Sequence, residues 1–214
     1  MDLVLRNEEE KDYRIVEEIT REAFWNLYCP GCNEHYLIYK MRTHPDFIRE
    51  LDFIAEYNGK IVGNIMYLKT WLINELGDKL EIISFGPISV LPEYQRKGVG
   101  TVLIRHTKEL ARKNGINAIV ILGDPHNYCK HGFKSSKDFN ISDDKGNYPY
   151  GMLALELKEG ILAEHKWKYQ YSAVYNINEH DANEFDKNFV EKEKGYNASQ
   201  EIFSIAFRAY LIDI

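Results

Sequence analysis

Apolar positions recur along this chain with two periods, and the places where the period changes mark out the elements. Between Arg14 and Leu27, the residues Ile15, Val16, Ile19, Ala23, Phe24 and Leu27 fall at the three- and four-residue steps that line one face of a helix. The turn Cys29-Pro-Gly-Cys32 breaks it. A second helix is predicted from Asn33 to Met41, with Tyr36, Leu37 and Lys40 at its turns. The period then drops to two: Phe53, Ala55 and Tyr57 alternate with Ile54 and Glu56, and Asn58-Gly-Lys60 reads as a hairpin turn into Ile61 to Leu68, an antiparallel pair. After a turn at Asn74 to Lys79, the long and almost uncharged run Leu80 to Leu91 is expected at the centre of a sheet. A helix over Thr101 to Asn114 shows Val102, Leu103, Thr107, Leu110 and Ala111 on one side and stops at Gly115. The run Asn117 to Leu122 is predicted as a strand parallel to its predecessor, and Met152 to Leu157 as a further strand.

Beyond Lys158, Tyr169, Tyr171, Ala173, Tyr175 and Ile177 alternate as in a strand, and Asp181 to Lys192 has helical spacing through Ala182, Phe185 and Phe189. About 55 residues rarely make an independent core, so this stretch is expected to be a lid or packing extension of the main sheet.

Composition narrows the class. With 214 residues, 44% of them hydrophobic, the chain is long enough for one sizeable core and a small appended unit. A formal net charge of -6 without a basic run lacks the footprint of a nucleic-acid binder and suits a cationic or neutral substrate. Met1 to Asp12 carries too many charges for a signal peptide, and no apolar stretch approaches the roughly 18 residues of a membrane span, so the expected location is the cytoplasm, away from membranes. Three cysteines, an odd number, argue against a disulfide scaffold and fit a reducing compartment.

The candidate chemistry centres on Pro87-Ile-Ser-Val-Leu-Pro-Glu-Tyr-Gln-Arg-Lys-Gly-Val-Gly100, where an apolar strand breaks at Pro92 and two glycines open a helix. The first amides of a helix have no partner inside it, and its macrodipole adds roughly half a positive charge there, so such a start binds anions. We read it as a pyrophosphate cradle. The dinucleotide fingerprint would need a small residue where Leu103 stands, and the Walker pattern Gly-Lys-Ser/Thr is absent from the sequence. What fits is Gln-x-x-Gly-x-Gly after a strand ending in Val-x-Pro, and here the chain resembles the GNAT family of acetyl-CoA-dependent N-acetyltransferases. About thirty residues on, Asn127-Tyr-Cys-Lys-His-Gly-Phe133 is similar to the family's Tyr-x-x-x-Gly-Phe signature. The order of elements also agrees across residues 2 to 157: a strand at Leu3 to Arg6, a helix from about Lys11, strands near 52 to 58 and 60 to 73, then the coenzyme segment. Gly123-Asp-Pro125 makes the chain look most like the YhbS-type branch.

The resemblance implies an α/β GNAT acyl-CoA N-acyltransferase fold, with a central, mixed, mostly antiparallel twisted sheet flanked by helices. It implies an N-acetyltransferase domain at 1–157; beyond Lys158 the resemblance thins out, and residues 158–214 are expected, from their own pattern, as a C-terminal extension packed on that domain. It implies that Gln95, Arg96, Lys97, Gly98, Val99, Gly100 and Thr101 hold acetyl-CoA as co-substrate, that main-chain groups of Ile88 and Val90 meet its pantetheine arm and thioester, and that Tyr128 is the general acid. The phenol's ordinary pKa near ~10 keeps it protonated at neutral pH; its bland alternative is an aromatic core residue. The family's connection between the first two helices lines the acceptor side, which makes Cys32, Glu34 and His35, with Asp124 and His126, candidates to recognise the acceptor or ordinary loop residues. No base is assigned. The position of the glutamate used by histone-modifying relatives holds Ser84, Glu81 lies three residues away on the same strand, and a water chain ending on Glu81, Glu56 or a carbonyl serves equally. The reading is direct transfer from acetyl-CoA to a small-molecule amine in a ternary complex, with no metal, nucleic acid or membrane partner and with a homodimer as the assembly. The alternatives are a non-catalytic coenzyme-binding sensor of the same fold, or a zinc or thiol-redox protein built on Cys29 and Cys32.

Overall fold

The computed structural model describes residues 1–212. Its frame is a mixed sheet in which β1 (Val4–Asn7), β2 (Phe53–Tyr57), β3 (Lys60–Asn74) and β4 (Lys79–Val90) run antiparallel in spatial order. The predicted hairpin at Asn58-Gly59 places both residues at positive φ, +50° and +75°, as a tight turn matched to strand twist requires. β4 then pairs in parallel with β5 (Ala118–Leu122), through the register Ile83↔Ile119. The sheet continues beyond β5 through strands described below. Helices α1 (Tyr13–Phe24) and α2 (Glu34–Met41) pack on each other, and α1 also packs on β3 and β4. Helix α3 (Val99–Lys113) crosses β2, β3 and β4. Its close approach needs Gly63: a methyl there would stand 2.9 Å from the Ser89 carbonyl and 3.0 Å from Val99. α3 ends at Gly115 (φ +75°), where Ile116 N–H donates to Ala111 O and Gly115 N–H to Arg112 O.

After β5 come the one-turn helix α4 (Pro125–Tyr128) and two short strands, β6 (Lys134–Ser135) and β7 (Ile141–Ser142). β8 (Met152–Glu156) pairs antiparallel with both β5 and β6. β9 (Trp167–Gln170) lies antiparallel against the far half of β3, from Trp71↔Gln170 to Asn74↔Trp167, and parallel to β7. The expected mixed, mostly antiparallel sheet flanked by helices is what the chain forms. Its core joins Val16 and Ile19 of α1, Ile38 and Met41 of α2, and Leu103 and Ile104 of α3 to the buried positions of β3 and β4.

The C-terminal stretch departs from the periodic reading. The strand expected from Tyr169 to Ile177 ends at Gln170, and a tight turn follows over Ala173–Tyr175. Ser172 donates to Asp46 (2.7 Å), which holds this stretch beside the loop before β2. The predicted helix over 181–192 is α5 (Glu179–Asp186), capped by the Asn178 side chain. A further helix, α6 (Ala198–Phe207), escaped the reading because Ile202, Ile205 and Phe207 are exposed and form no buried stripe. Through β9, the residues after Lys158 belong to the same sheet as those before it.

Candidate active site

Two residues of β4, Gly86 and Pro87, stand opposite the single Met66 of β3, between the pairs Tyr67↔Phe85 and Ile65↔Ile88. This bulge puts Phe85 and Ile88 on one face of the sheet. It also follows the point where β4 parts from β5. Past that point Leu91 N–H donates to Val62 O (2.9 Å), and Ser89 O faces Gly63, so the odd-numbered residues commit their main chain to β3. Main-chain groups alternate along a strand, so those of Ile88 and Val90 point into the gap between β4 and β5. Gln95 Nε2 donates to Val90 O (3.0 Å), leaving the Val90 N–H and the Ile88 groups on the open edge.

The gap is the mouth of a cleft of about 610 Å³ running from α3 to the connection between α1 and α2. One end of it is the turn before α3. Arg96 (φ +59°) and Gly98 (φ +93°) hold the chain so that the first amides of α3 face outward, and nothing lies within 4 Å of where a Gly98 methyl would be. Gln95, Arg96, Gly98, Val99, Gly100 and Thr101 line the cleft together with Ile88 and Val90. Lys97 does not; its ammonium lies over the Tyr94 ring, 5.6 Å from the centroid. The free amides at a helix start and the open space at Gly98 are what an anion would need here.

At the other end stands Tyr128, half-buried, with ring centroids of Phe85 and Phe133 5.6 and 6.1 Å away. A methyl on Gly123 would collide with Cε2 of this ring, so the residue after β5 is the seat of the tyrosine. Gly123 is itself held by Gly151, whose carbonyl accepts its N–H (2.8 Å). Burial, then the neighbouring Tyr28 and Asp124, push the Tyr128 hydroxyl above its ordinary pKa, so it carries its proton at neutral pH. Asp124 caps α4, accepting from His126 N (3.0 Å). Glu34, on the first turn of α2, faces the same cleft. Burial raises its pKa, against the backbone N–H groups of its own residue and of Asn33.

Cys32 and His35 lie elsewhere. His35 is fully buried, its Nδ1 3.4 Å from Cys32 Sγ and its ring packed on Phe185 and Phe189 of the C-terminal stretch. Its Nε2 stands 3.0 Å from Asp186 Oδ1 but without the alignment of a hydrogen bond. Burial lowers the His35 pKa to about 4 and keeps the ring neutral. The same burial raises the Cys32 thiol, the reverse of what a reactive thiolate needs. Among the described residues no group of three or more His, Cys, Asp or Glu gathers to hold a metal ion. The side-chain bases left open by the sequence, Glu81 and Glu56, are not in the cleft lining: Glu81 is exposed on β4 and Glu56 pairs with Arg6 (2.7 Å), while Ser84 lies beside the hydroxyls of Tyr169 and Tyr175.

Among the cleft residues that the sequence reading did not assign to the site, two tyrosines stand out. Tyr28 borders the cleft just ahead of the Cys29-Pro30 turn, and its position at the end of the first helical pattern was the available signal. Tyr175 reaches the floor at Gly86 from the C-terminal stretch; its hydroxyl lies 3.9 Å from where a Gly86 methyl would be. The alternation through Tyr175 reads as a strand, and nothing local ties it to the cleft.

An amide-lined turn, a splayed parallel pair and a tyrosine beyond the next strand define an acyl-coenzyme fold, and solved structures share it. The YhbS protein of Escherichia coli, described as a GNAT family N-acetyltransferase in complex with CoA, superposes with a TM-score of 0.71 at 18% identity, covering 82% of this chain and 92% of that one. A GNAT acetyltransferase from Brucella melitensis in complex with acetyl-CoA gives 0.64 at 22% identity, over 81% and 98%. The sequence profile of the Acetyltransferase (GNAT) family matches residues 21–133, and the chain belongs to that family. Escherichia coli YjhQ, an uncharacterised N-acetyltransferase, is 37% identical over 99 residues, 46% of this chain, and the match spans about half (51%) of YjhQ. Among the described residues no helix is long and apolar enough to cross a membrane.

Proposed function

We propose that this protein transfers the acetyl group of acetyl-CoA to the primary amine of a small molecule, with both held in the cleft together. The observation that carries the reading is the meeting in one cleft of the amide-lined turn at Gly98, the open edge of β4 and Tyr128. The N–H groups from Gln95 to Gly100 would hold the diphosphate, with Arg96 adding its charge beside them. The free groups of Ile88 and Val90 are the donors and acceptor available to the pantetheine amides and the thioester oxygen. Acetyl-CoA supplies an activated acetyl group.

An alkylammonium ordinarily titrates near ~10.4, so the site must remove a proton before the nitrogen can attack. Glu34 is the cleft carboxylate placed to take it, and its raised pKa makes it the stronger base. As the nitrogen bonds to the carbonyl carbon and the carbon–sulfur bond breaks, Tyr128 gives its hydroxyl proton to the sulfur. Tyr128 regains a proton from the new amide nitrogen. Of the two protons the ammonium loses, one ends on sulfur and one leaves through Glu34 to solvent. A homodimer is part of the same reading and is checked by sedimentation equilibrium.

Calorimetry with CoA and a free-thiol assay across a panel of amines test the proposal. Micromolar-range binding is expected, about -8 kcal/mol, with thiol release that depends on the amine. Absence of binding sinks it; binding without turnover on any amine turns the reading to the coenzyme sensor.

A further inference from the structure

Resting on that reading, the walls of the acceptor end carry a statement about which amine enters. The charged lining of the cleft is mixed. Arg96 stands on the turn before α3, and Lys130 and His131 stand in the turn after Tyr128, which Lys108 of α3 ties down through the His131 carbonyl (3.0 Å). The two acidic side chains, Glu34 and Asp124, both lie near enough to Tyr28 to act on its hydroxyl.

Between these carboxylates the surface is aromatic. Phe24 and Tyr28 come from the first helix and its exit, Phe85 from the bulged strand, Tyr128 from α4 and Tyr175 from the C-terminal stretch. Tyr28 is held as part of a wall, its ring 5.8 Å from Phe24 and 4.5 Å from Phe203 of α6. α6 is fixed across this end at both termini. Asn197 and Gln200 donate to the Asn26 carbonyl (3.0 and 3.1 Å), and Tyr150 N–H donates to Ala209 O (2.9 Å). Burial and the charges of Glu34 and Asp124 keep the Tyr28 hydroxyl protonated, so it adds no negative charge of its own.

We propose that the acceptor is a primary amine carried on a flat aromatic body, its ammonium toward Glu34 and its ring between Tyr28, Phe85 and Tyr175. Aromatic faces stack on such a body and attract the adjoining cation. An α-amino acid would bring its carboxylate against two carboxylates. A polyhydroxylated amine such as an aminoglycoside would lay many of its hydroxyls against the aromatic rings, with the carboxylates already taken by ammonium groups and Asn127 and the tyrosine hydroxyls as the remaining partners there.

The test compares free-thiol release from acetyl-CoA with 2-phenylethylamine, glycine, lysine and kanamycin. The aromatic amine is expected to show kcat/KM at least about tenfold above the others. Tyr28→Ala should raise its KM about tenfold with CoA affinity unchanged by calorimetry, while Tyr28→Phe, which keeps the ring, should leave KM within about twofold. A preference for kanamycin or for the amino acids, or equal losses in the two Tyr28 variants, overturns the aromatic assignment and leaves acetyl transfer standing. Absence of thiol release from every amine, with CoA still bound, takes down this assignment and the transferase reading together.

Discussion

In the proposed transfer the Tyr128 hydroxyl carries the proton for the leaving sulfur, while the ring is fixed by packing that a phenylalanine would keep. Tyr128→Phe therefore separates acid catalysis from structure. The kcat for acetyl transfer should fall by roughly ten- to a thousandfold while CoA affinity and melting temperature stay close to those of the parent, and an unchanged kcat would remove the hydroxyl from the mechanism. Gly123 gives a second handle on the same group. A methyl on its neighbour Gly151 would stand 3.1 Å from the Gly123 carbonyl, so the two strand ends lie against each other and the chain at 123 has little room to retreat. An alanine there must push the ring instead. Gly123→Ala is expected to reduce kcat about as much as removing the hydroxyl, with CoA binding retained; kinetics equal to the parent's would show that the ring has another seat.

At the scale of elements, the turn into α3 does its work through conformation. Gly98 sits at φ +93° with open space where a methyl would go, so a side chain there costs backbone strain and no clash. Left-handed backbone costs a non-glycine residue about 1–2 kcal/mol, and a loop relaxing to avoid it would turn its amides from the cleft. Gly98→Val should weaken CoA binding about tenfold in calorimetry, with the loss carried by the diphosphate, so that pantetheine alone binds both proteins alike. The glycine turn into α3 was legible in the sequence, as were β1 to β5 and the first three helices, because each is written in local terms: alternation, helical spacing, or a glycine where φ must be positive. The acceptor end was not. Tyr175 meets Gly86 and Phe203 meets Tyr28 across the length of the chain, and Arg21 grips Asp186 at a separation of 165 residues. His35 shows the cost of reading such a place locally: with Cys32 beside it the motif suggested ligand chemistry, yet it is the C-terminal stretch, invisible to that spacing, that covers the ring.

Across the whole molecule, two buried groups away from the cleft set how stability answers pH. Asp52, 3% exposed, accepts from Asn64 (3.0 Å) and lies near Glu8, which is itself bound to Arg42 beside Glu17. Burial first, then the charge of Glu8, raises the Asp52 pKa to about 9. The folded chain thus keeps a proton that the unfolded carboxyl gives up near ~3.9, so stability falls as pH rises through that window and the loss is complete above about 9. His35 acts in the opposite direction. Its folded pKa of about 4 lies below the ordinary ~6.5, so the unfolded chain takes up the proton first and stability falls as pH drops between those values. The two slopes oppose one another below about pH 6.5, and above it Asp52 acts without that counterweight. The melting temperature should therefore decline steadily from about pH 6.5 to 9. Asp52→Asn supplies an amide that accepts from Asn64 with its oxygen and donates toward Glu8 with its nitrogen, doing permanently what the proton does below pH 9. Thermal melts of the two proteins across that range should show a flatter profile for the variant, and parallel profiles would place the alkaline sensitivity elsewhere than at this carboxyl.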